Sequence, residues 1–386
     1  MTSINIVGVS IIGVFVLFII GKKEKQLHDY LLIVTNVLIA IMLLSDAWIQ
    51  ADINSANFII QNVTPFYLFS AFLTYGMLLI SSEQRIKKDW WWFYIYSVAF
   101  TIFIGVDFIV LTNYNNDLLI TRYLYPTSAY HFFYKTHSVF VIFVLIWFLK
   151  QLKAYQFNLK NYYSFIEPLR LNWLKTFTYI YIIINAVALV AFLSYNMGLV
   201  ESIDVVYLLI NSILVLSIFY LSYHGIRHYS IVQIKSANGS SIQGANTVNG
   251  EDADKKIIRG QKYQSSTLSH ERMNKIFEDL TQLFSEESLF KEPQLKVESV
   301  ANILDVSSHH LSQTINSKTG KPFYEFVNSS RVELLKEKLK NPDNHKFTIL
   351  SLALDCGFNS KASLNRIFKQ YTGTSPSQYQ KAHLIK

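Results

Sequence analysis

Apolar positions in this chain follow two rhythms. Up to about residue 223 they run in long blocks, and after about residue 270 they recur every three or four positions among polar residues. Blocks of the first kind lie at 4–20, 30–51, 58–80, 91–112, 132–149, 176–197 and 205–223. Each is near the ~20 residues a helix needs to cross a bilayer, which predicts an N-terminal seven-helix transmembrane bundle over residues 1–230. The second rhythm predicts amphipathic helices. Met273, Ile276, Phe277, Leu280, Leu283 and Phe284 make one apolar stripe, with Ser269 placed as its N-cap. Helices at 296–304 and 307–318 follow, then a long helix opened by Pro322. Two short helices meeting at Gly357 close the pattern. The expected fold class is all-α throughout. Between the two regions the chain turns to Ser, Gly and Asn, the composition of a flexible linker over 231–267, leaving 268–386 as a separate domain.

The C-terminal pattern repeats itself. Leu311 and Leu364, Ile315 and Phe368, and Gly320 and Gly373 are each 53 positions apart. Ala301 and Ala353 are 52 apart, so the second turn carries one residue more. The small alanines let paired helices approach, and Gly357 can take the positive φ of a tight turn. Asp305 holds the matching place in the first copy; Asp tolerates left-handed geometry less readily. The last helix turns Lys361, Asn365, Arg366 and Lys369 away from its apolar side, and no acidic residue follows Asp355. A basic, amide-bearing second helix is how a helix-turn-helix reads a major groove. One such unit alone could be an αα-hairpin with a solvated basic face, but two copies in register point to one duplicated device.

Three runs carry a family resemblance: Leu311-Ser312-Gln313, then Gly357-Phe358-Asn359-Ser360 with Phe368-Lys369, and finally Thr372-Gly373-Thr374-Ser375-Pro376 with Tyr379. On them, the region from about Leu268 to Leu384 resembles the DNA-binding domain of AraC/XylS-type transcription regulators. The resemblance covers about the last third of the chain. It implies two helix-turn-helix units joined by a long helix. It also implies that His309, His310, Ser312, Gln313 and Asn316 face one groove and Lys361, Ala362, Asn365 and Arg366 the next. Lys369 and Ser360 would then lie toward phosphate. The first helix departs from the family pattern, with no Arg or Lys before Lys318.

Composition sharpens the picture of the front half. Of 386 residues 51% are apolar, too many for an ordinary soluble domain, and the net charge of +8 is spread along the chain. The lone Cys356 excludes an intramolecular disulfide framework and reads as a small core residue. The first apolar block has its lysines (Lys22, Lys23, Lys25) after it, the wrong side for a signal peptide. With the N-terminus outside, inner loops receive those lysines, Arg85, Lys87, Lys88, Lys150, Lys153, Lys160, Arg170 and Lys175, with Arg227 and Lys235 after the last span. Outer loops receive only Arg122, with Lys135 nearby. That asymmetry predicts a multi-pass bacterial inner-membrane protein with its C-terminal domain in the cytoplasm.

Asp46, Asp107, Lys135 and His137 fall inside the predicted spans, toward the outer side. They could form an outward-facing ligand site, or they could be paired structurally or snorkel to the interface. His224 and His228 have metal-compatible spacing but no further ligand, and neither a metal nor a cofactor is expected. No catalytic arrangement stands out, so the chain is read as a non-enzyme. It is expected to be a membrane-anchored, sequence-specific transcription regulator whose partners are promoter DNA, the lipid bilayer, an extracytoplasmic or membrane ligand, and a second copy in a homodimer. The alternative is a membrane enzyme or transporter with an appended regulatory DNA-binding domain.

Overall fold

The computed structural model describes residues 2–22, 25, 27–49, 55–81, 128–200, 219–226 and 269–383, with scattered positions between 95 and 102 and between 205 and 217. All described elements are helical apart from one isolated antiparallel bridge, Tyr163 with Lys296. The chain forms two compact units. One joins Met1–Lys153 with Leu171–Lys235; the other joins Ala154–Arg170 with Ser236–Lys386. Residues 154–170, which the apolar pattern assigns to the front domain, thus cluster with the C-terminal region. The expected linker, 231–267, lies outside the described residues.

The first unit contains α1 (Thr2–Ile20), α2 (Leu27–Ile49), α3 (Ser55–Ile80), most of α4 (Ser128–Tyr162) and α5 (Asn172–Asn196). Ile12, Ile39, Leu43, Leu68 and Leu214 share a buried core. Gly76 permits the closest approach: a Cβ there would stand 2.5 Å from the Phe148 ring. Two polar pairs are set into the unit, Ser222 donating to Asn36 at 2.8 Å and Lys22 meeting Asp29 at 2.6 Å. Yet Val14, Leu17, Phe18, Phe143, Ile183, Val190 and Leu216 are all exposed on the outside. The unit is thus apolar on parts of its outside as well as within.

Two helical stretches, His137–Tyr162 and Glu167–Tyr195, are long and apolar enough to cross a membrane. Ile6–Ile20, Leu27–Ile41, Tyr67–Ile80 and Ser212–Ile226 are apolar but shorter, at 10–17 residues. The described residues therefore carry two candidate spans where the hydropathy pattern predicts seven. The shorter stretches end, on one side or both, where the described side chains end, and most of the expected span at 91–112 is not among the described residues.

The second unit runs α6 (His270–Glu286), a 3-10 turn (Leu289–Lys291), α7 (Val297–Ile303), α8 (Ser308–Thr319), α9 (Phe323–Lys340), a second 3-10 turn (Pro342–Lys346), α10 (Ile349–Asp355), α11 (Lys361–Thr372) and α12 (Pro376–His383). Ser269 caps α6 by accepting from the Arg272 N–H at 3.2 Å, and Met273, Ile276, Leu280 and Phe284 are its buried stripe. Pro322 is the N-cap of α9 and not its first helical residue. Two cores flank α9. Phe323 and Val327 join α6, α7 and α8 through Met273, Leu280, Val300, Leu311 and Ile315. Tyr324, Val332 and Leu335 join α10 to α12 through Leu352, Ala353, Phe358, Leu364, Phe368 and Tyr379. Turning one helix to serve both cores makes α9 the spine of the unit.

Candidate nucleic-acid interface

The two helix-turn-helix units share one skeleton. Ser307 caps α8 by accepting from the His310 N–H at 3.1 Å, and Ser360 caps α11 by accepting from the Ser363 N–H at 3.2 Å. Each helix is 12 residues long and ends on a left-handed glycine, Gly320 at φ 67 and Gly373 at φ 77. Glycine meets that geometry without a Cβ clash and satisfies the last carbonyls. The corners match as well. Val306 N–H donates to the Ala301 carbonyl at 2.9 Å, and Phe358 N–H to the Ala353 carbonyl at 3.0 Å. Asp305 takes φ 51 in the first corner and Gly357 takes φ 92 in the second.

A buried guanidinium sets the back wall of the second corner. Arg331 on α9 is 1% exposed; its Nε donates to the Phe290 carbonyl and its Nη2 to the Glu292 carbonyl, both at 2.6 Å. Burial lowers its pKa to about 10, still high enough to keep it charged near neutral pH. The connector so held presses on Gly357, where a Cβ would lie 2.7 Å from the Lys291 carbonyl oxygen. The apolar pattern does not mark Arg331, although it stands four positions before the buried Leu335 and four after Val327, in register with the apolar stripe. Cys356 is a buried free thiol, as expected of a core residue, and burial raises its pKa to about 11.

The outward faces of α8 and α11 differ in what they show. On α11, Lys361, Ala362, Asn365, Arg366 and Lys369 form one exposed stripe, with Ser360 exposed at its start. Ser363, Leu364, Ile367 and Phe368 are buried behind it. On α8, His309 and Gln313 are exposed and His310 and Asn316 are half-buried, while Ser312 is buried at 6%. So four of the five residues expected on the α8 face reach the surface, and Ser312 is turned inward.

Two of these side chains are engaged within the chain. The Arg366 guanidinium pairs with the Glu167 carboxylate and donates to the Tyr324 hydroxyl at 2.7 Å. Burial works against its charge, but the bonds to Tyr324 and Glu167 win and raise its pKa. Asn316 Nδ2 donates to Asn161 Oδ1 at 3.4 Å and to the Ser312 carbonyl at 2.9 Å. Both outside partners belong to residues 154–170. That segment is seated by Ser164, whose N–H donates to the Leu295 carbonyl (3.0 Å) while its carbonyl accepts from Asn328 (3.1 Å) and its hydroxyl from Arg331 (3.2 Å). Lys160 pairs with Glu325 at 3.1 Å, and Leu159 and Ile166 are buried in the second core. Leu159 and Ile166 are joined there by the partly buried Tyr155, Tyr163 and Leu169, so the segment docks through its own apolar side chains.

Of the residues expected to form an outward ligand site, His137 is buried and its Nδ1 lies 2.9 Å from the Tyr96 hydroxyl, with the two rings stacked. Asp46 lies in α2 and Lys135 in α4, but their side chains, like Asp107 altogether, fall outside the described residues. Of the four, only His137 can be placed by its side chain among the described residues. His224 stacks on Trp173 with ring centroids 6.2 Å apart, and His228 is outside the described residues.

A tandem of capped helix-turn-helix units on a shared spine defines a class of double helix-turn-helix DNA-binding proteins. A helix-turn-helix domain family matches residues 300–382. An uncharacterized HTH-type transcriptional regulator of Staphylococcus aureus strain COL is 30% identical over 124 residues, 32% of this chain and 15% of that protein. The probable transcription factor PqrA of Proteus vulgaris is 30% identical over 95 residues, 25% of this chain and 75% of that protein. A solved structure of a protein of unknown function from Listeria innocua is 26% identical, spans 28% of this chain and 96% of that one, and has a TM-score of 0.25. The chain belongs to the AraC-type helix-turn-helix transcriptional regulators. The match is to its C-terminal region, and the chain covers only 15% of the length of the staphylococcal relative.

Proposed function

We propose that this protein is a membrane-anchored, sequence-specific transcription regulator, a one-component device in which residues 1–230 hold and instruct a cytoplasmic DNA-binding domain. The observation that carries the DNA-binding half is the matched pair α8 and α11: equal length, equal capping, 53 positions apart, each with a polar outer stripe. The 18 residues of α9 span ~27 Å at 1.5 Å each, near the ~34 Å between successive major-groove turns on one DNA face. Arg366 and Lys361 suit guanine and Asn365 and Gln313 suit adenine, while Lys369 is placed for phosphate.

The anchoring half rests on the exposed apolar faces of α1, α4 and α5 and on the two candidate spans. The seven-span arrangement, with the N-terminus outside the bacterial inner membrane and the C-terminal domain in the cytoplasm, rests on the hydropathy blocks and the loop lysines and arginines. A ligand reached through the spans, and a homodimer on paired DNA half-sites, complete the reading.

Two measurements test it. The full chain in detergent, unaltered or with Asn161→Ala and Glu167→Ala together, should enrich one sequence from a random duplex pool, and no enrichment by either would end the DNA-binding half. Reporter fusions near residue 120 should report the outside and near residue 240 the cytoplasm. The reverse pattern would overturn the membrane arrangement.

A further inference from the structure

The same segment, Ala154–Arg170, engages both helices that the proposed function assigns to DNA. Asn161 takes the amide of Asn316 on α8, and Glu167 takes the guanidinium of Arg366 on α11. Between them, all three polar backbone and side-chain groups of Ser164 are occupied by Leu295, Asn328 and Arg331. Leu159 and Ile166 are buried alongside Leu364 and Phe368, the inner side of α11. This is a built docking site with a named occupant, not a loop resting on a surface.

The chemistry of the occupant resembles that of the ligand it would displace. A carboxylate offers a guanidinium the same paired acceptors that a phosphate or the edge of a guanine offers. The Arg366 donors that face Glu167 cannot serve both at once. A duplex brought to this face would also set its phosphates beside the negative Glu167, whose side chain is 29% exposed. We propose that residues 154–170 form an intramolecular competitor for DNA, so that the conformation seen here is a closed one and DNA binding requires the segment to leave. This deepens, and rests on, the reading of α8 and α11 as DNA-contacting helices. It assigns the segment a regulatory role: it comprises the C-terminal turns of α4 and the link to α5, and so is covalently continuous with both helices.

The test uses the full chain in detergent and a duplex that the Asn161→Ala/Glu167→Ala protein enriches from a random pool. That double variant should bind the duplex at least tenfold more tightly than the unaltered protein. In a second protein, Asn161→Cys/Asn316→Cys, a short cleavable thiol crosslinker should lower affinity at least tenfold, and cleavage should restore it. Comparing one molecule before and after cleavage removes any effect of the substitutions on folding. Equal affinity of the unaltered and double-variant proteins, or of crosslinked and cleaved protein, would overturn the competitor. A pool that yields no enriched sequence would instead sink the DNA-binding reading beneath it.

Discussion

The two helix-turn-helix units have the same bones and different surfaces. Their second helices agree in length, N-cap and terminal glycine. The first corner, at Asp305, is exposed, whereas the second, at Gly357, is pressed against the carbonyls of Phe290 and Lys291. Outside, α11 shows Lys361, Arg366 and Lys369, whereas α8 shows His309 and Gln313 and has no Lys or Arg before Lys318. Duplication thus preserved what the backbone requires and left the surface to diverge. The physical division follows: α11 is suited to supplying charge and affinity, and α8 to reading bases with neutral groups.

The largest test of this comparison is Arg331→Met. It removes the donors that satisfy the carbonyls of Phe290 and Glu292 and leaves buried acceptors unpaired, at about 4 kcal/mol. Hydrogen exchange should rise first in α10 and α11, whose corner leans on that connector; equal loss in α7 and α8 would contradict the asymmetry. Next comes Gly357→Ala, which combines left-handed strain with a backbone clash for about 3 kcal/mol. Its counterpart, Asp305→Gly, should change the melting temperature little, about 0.5 kcal/mol or less.

Smaller effects separate the two surfaces. In the Asn161→Ala/Glu167→Ala background, where the competitor is weakened, Arg366→Ala should cost about 2 kcal/mol of binding to the selected duplex, roughly thirtyfold. Gel-shift titration measures this, and an unchanged affinity would remove Arg366 from the interface. Finally, Lys369→Ala should lower the slope of log affinity against log salt by about 1. Gln313→Ala should leave that slope alone and relax base preference at one position. Equal salt slopes for the two variants would erase the division of labour between α11 and α8.

What could be read in the sequence is what near neighbours decide. Ser269, Ser307 and Ser360 cap because a hydroxyl lies within reach of the amide three residues on. Gly357 was legible because a positive φ is a property of one residue. The α6 stripe was legible because 3.6-residue periodicity records one buried face. The polar lining was not: Ser312 follows the groove-facing spacing and is nonetheless buried. Arg331 carries a charge that composition places outside, and it is buried because Phe290, Glu292, Asn328 and Ser164 surround it with acceptors.

The sequence by itself determined the all-α character, the duplicated corners and the stripe of basic and amide side chains on α11, since each depends on residues within one or two helical turns. Only the tertiary structure decided that residues 154–170 leave the apolar half to pair Asn161 with Asn316 and Glu167 with Arg366, across 155 and 199 positions. No local pattern encodes such a choice. It depends on which buried surface happens to offer Ser164, Leu159 and Ile166 better partners than water does.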